Sequence, residues 1–133
     1  MTLRWPPDFP EDCPPEEASP ANGIYYYIVK NDPPQWTDFT ALYRRNRRLA
    51  EARIRQGITT ACQTMGLSVL ADINDALDRA NQFRSIGNIV ARLMLTPDAG
   101  RILYTPRDND SHHTWWVPEG YNPGDTATIV LEL

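Results

Sequence analysis

The sequence predicts a single α+β domain, with two principal helices packed on a mostly antiparallel sheet of about five or six strands. Three observations carry this expectation. The chain has 133 residues, the ordinary size of one domain. Segments with helical spacing occur only in its first two-thirds, at 37–57 and 73–83. The last third is a run of short strand-like segments separated by turn residues. A doubly wound fold would continue its alternation of strand and helix to the end, and this chain does not.

Residues 1–22 hold six of the twelve prolines, which fix φ and supply no backbone donor. They read as a Pro-rich acidic arm, lying on the domain or free of it, with Trp5, Phe9 and Cys13 as tethers. The domain proper is expected over 23–133. Removing the arm should leave a folded domain, less stable by the ~1.5–3 kcal/mol of one docked aromatic side chain.

"GIYYYIV" (23–29) is rich in strand formers and ends at the breaker "KNDPP". "TDFTALYRRNRRLAEARIRQG" (37–57) predicts the first helix, with Thr37 as N-cap and Gly57 as stop. On its wheel Phe39, Leu42, Tyr43, Leu49, Ala50 and Ile54 form one face, and Arg44, Arg48 and Arg55 the opposite one. Arg53 falls in the apolar face, its stem expected to pack and its guanidinium to reach water. After a turn-rich patch around "TTACQTMG", "LSVL" (67–70) reads as a short buried strand. Asp72 then caps a second helix, 73–83. "IGNIVARLML" (86–95) and "RILY" (101–104) form a hairpin through "TPDAG". "HHTWWV" (112–117) and "ATIVLEL" (127–133) complete the sheet, between the loops 105–111 and 118–126.

Composition narrows the classes of function. At 41% hydrophobic and 23% charged the chain is globular rather than disordered. No apolar run approaches the ~20 residues that cross a bilayer, so no membrane partner is expected. The opening "MTLRWPPDFPEDCPP" lacks the apolar centre of a secretory signal, and the expected location is cytoplasmic. The two cysteines, Cys13 and Cys62, are neither close nor in a C-x-x-C pair, so no disulfide framework is expected. A net charge of −4 argues against general nucleic-acid binding. The arginine cluster of 44–55, facing an acidic arm, instead favours a solvated face or a protein partner, for which arginine is a favoured anchor.

The densest chemistry lies in "HHTWWVP" (112–118), which contains both histidines and half of the four tryptophans. On a strand His113 and Trp115 share one face, and His112, Thr114 and Trp116 the other. Adjacent histidines on opposite faces do not grip one ion, and no zinc spacing is present, so neither metal nor cofactor is expected. One Trp is expected in the core, while the opposite face offers a His and the other Trp at the mouth of a groove. The candidate binding residues are Ser68, Arg107, His112, His113, Trp115 and Trp116, with Arg44, Arg48 and Arg55 on the helix. No G-x-S-x-G, H-E-x-x-H or phosphate-loop pattern names a catalytic residue.

The combination "DCPP", "YYIVKNDPP…DF", "GLSVL" and "HHTWWVP" resembles a small uncharacterised bacterial protein family over most of the chain. The order of strand, helix, short strand with Ser68, helix and antiparallel strands is also similar to compact ADP-ribosyltransferase-like domains. That second resemblance implies a site for NAD at Tyr25–Tyr27 and Ser68, with Glu132 or His113 as the late polar residue. The early strand departs from it in having no Arg or His. Two functions are therefore expected as alternatives. One is a non-enzymatic protein-binding protein (immunity, inhibitor or accessory) of a bacterial operon. The other is a small nucleotide- or NAD-handling transferase with its site near Ser68, His112 and His113.

Overall fold

In the computed structural model, which describes residues 2–133, the strand-forming segments pair into one antiparallel sheet. The elements in chain order are β1 (Ser19–Pro20), β2 (Gly23–Val29), α1 (Leu42–Arg45), α2 (Arg47–Arg55), α3 (Ala61–Thr64) and β3 (Leu67–Leu70). They continue with α4 (Ile73–Gln82), β4 (Ile89–Leu95), β5 (Arg101–Tyr104), β6 (His112–Trp116) and β7 (Ala127–Glu132). The sheet order is β1-β5-β6-β3-β2-β4-β7, so the molecule is an α+β domain with seven strands. The strand beyond the expected five or six is β1, a two-residue pairing made by the arm against β5.

The connection from β1 to β2 shapes the sheet. Pro20 and Gly23 are three residues apart, a reach of at most about 11 Å. Yet β1 and β2 stand four strand positions apart, about 19 Å in a flat sheet. The sheet must therefore curl about one face. That inner face is the main core, where Leu93 of β4 and Ile102 of β5 join Leu67, Val69 and Trp115 in one buried cluster. Ala21, Ala41 and Ala99 close it, small enough for their backbones to lie against the strands. Gly100 has φ +119°, and a Cβ there would run into the Trp116 carbonyl, so the turn from β4 into β5 requires glycine.

On the outer face α4 lays Ala76 against Leu70 and Val90, as its apolar spacing requires. Asp72 caps α4 as expected from its sequence, accepting a hydrogen bond from the Asn74 N–H at 2.8 Å. The first helix differs from its expectation. It is broken into α1 and α2 at Asn46, whose side chain accepts from the Leu49 N–H at 3.1 Å and caps α2. A short polar side chain has competed with the helix for its own backbone. Thr37 is not a cap; Asp38 accepts from the Lys30 and Gln35 N–H groups and holds residues 36–39 in a 3-10 turn. Because one wheel no longer describes 37–57, Leu49 is exposed while Ala50 is fully buried.

The arm lies along the outer face. Trp5 and Phe9 pack against the buried cluster of Cys13, Ala18 and Trp116. Cys13 and Cys62 form a disulfide across 49 residues of sequence, which corrects the expectation of none. Tertiary folding alone brings them together, as the arm passes over α3, and a separation of that size leaves no local signature. Asp8 takes Arg44 in a two-pronged ion pair at 2.6 and 2.8 Å. With side-chain exposures of 38% and 43% both partners remain well hydrated. Asp8→Asn is accordingly expected to cost no more than about 1 kcal/mol in urea melts.

Candidate functional site

The alternation along β6 follows from its pairing with β3 and β5, which places Trp115 opposite Leu67 and Ile102, and His113 opposite Val69 and Tyr104. His113 and Trp115 thus share the inner face, and His112, Thr114 and Trp116 the outer one. Neither tryptophan lies at a groove. Trp115 is 0% exposed and donates its indole N–H to the Ala99 carbonyl at 2.8 Å. Trp116 is 1% exposed beneath the arm and donates to the Cys62 carbonyl at 2.9 Å. The expected division of labour between the two is corrected on this point. At the two tryptophans both faces of β6 are covered, the inner by the curl of the sheet and the outer by the arm.

A groove of about 380 Å³ does open beside β6, at His113. Its aromatic walls are Tyr25 and Tyr104, each with its ring centre 5.1 Å from that of His113. Ser19, Pro20 and Asn22 form the rim where the chain crosses from β1 to β2. Tyr104 is 55% exposed, whereas burial raises the Tyr25 hydroxyl above its ordinary pKa, keeping it protonated. The His113 Nδ1 donates to the Ser111 carbonyl at 2.8 Å. That bond selects the tautomer and leaves Nε2 as an acceptor on a ring that lines the groove. The Tyr104 hydroxyl donates to the Asp110 carbonyl at 3.0 Å, so the site offers aromatic faces, the Tyr25 phenol and one imidazole nitrogen.

No family model, curated protein or solved structure matches this chain. The chemistry of the groove rests on its own geometry. A second cavity, of about 210 Å³, lies between the arm and the 118–126 loop. Its walls are mainly apolar, and its guanidinium, Arg44, is already engaged by Asp8.

The remaining candidates are dispersed. Ser68 is exposed on the outer face, opposite Thr114 in the ladder, and so lies across the sheet from Tyr25 and His113. Arg48 and Arg55 are exposed on α2. Glu132 is on the edge strand β7, at the far side of the sheet from β6. The constellation implied by the ADP-ribosyltransferase-like resemblance is thus divided between two faces. Among the described residues no three His, Cys, Asp or Glu side chains converge as metal ligands.

His112 is part of a buried polar knot at the end of α4. Its Nδ1 donates to the Thr105 carbonyl at 2.8 Å, and Thr105 bonds Thr114 through their hydroxyls at 2.8 Å. Asp110 accepts from the backbone N–H groups of Arg107 and His112 and from Arg79. Although burial opposes ionisation of Asp110, these donors hold its pKa below the usual value. Burial, with Arg107 and Arg79 nearby, lowers the His112 pKa from 6.5 to about 4, so the ring stays neutral near pH 7. The unfolded state then binds the extra proton, and stability falls as pH drops from about 6.5 to about 4. The loss expected from this group is about 3 kcal/mol. Urea melts across that window should show it, and His112→Gln should flatten the dependence.

Tyr104 and the rim residues Ser19, Pro20 and Asn22 were not among the sequence candidates. Tyr104 closes an ordinary apolar strand, and its role depends on its position opposite His113. The Ser111 carbonyl, which sets the His113 tautomer, has no sequence signature either.

Proposed function

We propose that this chain is a non-enzymatic protein-binding protein of the immunity, inhibitor or accessory kind, encoded in a bacterial operon. In this reading it takes a side chain of its partner in the Tyr25–His113–Tyr104 groove. The carrying observation is that groove, which has aromatic walls and hydrogen-bonding tips. Tyrosine faces supply contact area at low entropic cost, and a single imidazole acceptor gives direction. The transferase alternative has less support, because Ser68 and Tyr25 occupy opposite faces of the sheet. The burial of His112 and its lowered pKa likewise favour a structural role for it over proton transfer. The Cys13–Cys62 bond favours an oxidising compartment over the cytoplasm, where such bonds are rare.

The test is co-expression with the products of neighbouring genes, followed by size-exclusion chromatography. A stoichiometric complex is expected, and Tyr104→Ala should weaken it by roughly tenfold or more, as for an interface anchor. The same substitution should cost no more than about 1 kcal/mol of stability, since it removes an exposed ring and one hydrogen bond. Release of nicotinamide from NAD by the isolated protein, abolished by Ser68→Ala, would overturn the proposal.

A further inference from the structure

The groove runs beside an unfinished edge of the sheet. Thr105 donates its backbone N–H to the His112 carbonyl at 3.0 Å, in the register that continues the β5–β6 ladder, so 105 occupies a position whose backbone faces β6, although the His112 N–H itself goes to Asp110. Such positions alternate in an antiparallel ladder, so Leu103↔Thr114 is the next one. Tyr104↔His113 and Ile102↔Trp115 are then pairs without mutual bonds, and their backbone groups point away from each other. The far side of β5 keeps the same parity. Ala21 donates to the Gly100 carbonyl at 2.9 Å, and Ser19 stands opposite Ile102. Pro20 falls between them, where no donor is needed.

Continuing this ladder by one step would put Glu17 opposite Tyr104. The arm does not continue. Ala18 donates instead to the Pro15 carbonyl at 3.0 Å, while Arg101 takes the Ala18 carbonyl at 2.9 Å and holds the turn away from the edge. The outward N–H and C=O of Tyr104 are therefore left at an open edge in line with β1.

Resting on the binding reading above, we propose that this edge accepts an extended peptide segment of the partner as an added strand paired to Tyr104. Cross-strand partners project to the same face, so the peptide residue opposite Tyr104 directs its side chain to the inner face. There it meets the Tyr104 and His113 rings, and the groove suits a large apolar or aromatic group. Glu16 and Glu17 are exposed where the arm leaves the edge, and neither forms an ion pair among the described residues. A peptide carrying Lys or Arg beside its apolar anchor complements them. Backbone pairing supplies the attachment, and the groove and the acidic turn supply the selectivity.

The experiment is selection of a displayed library of random linear peptides against the intact protein, followed by amide exchange measured by NMR with and without a selected peptide. In the free protein the Tyr104 amide should exchange much faster than those of Leu103 and Thr105. Bound peptide should slow the Tyr104 amide by roughly tenfold or more, as for a newly bonded group. Selected sequences should share an aromatic or large aliphatic residue near a basic one, and Tyr104→Pro, which deletes the outward donor, should abolish binding. Peptides that shift the His113 ring signals without protecting the Tyr104 amide would overturn strand addition and leave the groove reading standing. If no selected peptide perturbs either, both readings fail. Protection of the Tyr104 amide that rises with protein concentration alone would assign the edge to a second copy of the chain and overturn the proposal.

Discussion

Trp115→Ala and Trp116→Ala are each expected to lower the stability of the folded state by about 3–5 kcal/mol, the cost of emptying a large core site. The two side chains point to opposite faces of β6, yet they are 0% and 1% exposed. Each loss also strands a carbonyl, that of Ala99 for Trp115 and that of Cys62 for Trp116. The Trp115 site lies inside the curl of the sheet, among Leu67, Leu93 and Ile102, with little freedom to collapse. The Trp116 site is roofed by the arm, which can settle into the space, so its loss should fall at the lower end of the range. Urea melts of the two variants decide this. A Trp116→Ala variant that lost under about 1 kcal/mol would show that the arm is not packed in solution.

Reduction of the Cys13–Cys62 bond is expected to cost about 4 kcal/mol, the loop-closure entropy of a link across 49 residues. The corresponding fall in Tm is on the order of 10 °C or more for a domain of this size. Melts with and without reductant measure it, and a Cys13→Ser/Cys62→Ser variant should melt with the reduced protein. A chain beginning at Gly23 should lose more than the single docked aromatic expected from sequence. It gives up the disulfide, the Trp5 and Phe9 packing and the β1 pairing together. Equal melting temperatures with and without reductant would mean that the link constrains nothing in the unfolded chain.

The strands were legible because their signals are local. "GIYYYIV" and "RILY" match β2 and β5 at both ends, and "HHTWWV" extends one residue beyond β6. Asp72 and the apolar spacing after it likewise specify α4. The region 37–57 was less legible because one polar residue, Asn46, outweighed a helical period on both sides of it. Among the candidate site residues, His113 lines the groove, whereas His112 is locked into the knot with Thr105 and Asp110. The period of two along a strand assigns these neighbours to different faces. It does not say which face is open.

The sequence by itself determined the class of fold, the course of most strands and the separation of His112 from His113. These follow from backbone preferences and side-chain alternation, which act within a few residues. The tertiary structure alone decided that both tryptophans are buried, that Cys13 meets Cys62, and that Tyr25 and Tyr104 flank His113. Each of these depends on the short crossing from β1 to β2, which curls the sheet, or on the path of the arm over its outer face. Such contacts join residues tens of positions apart, and their energy resides in surfaces that exist only once the chain has closed on itself.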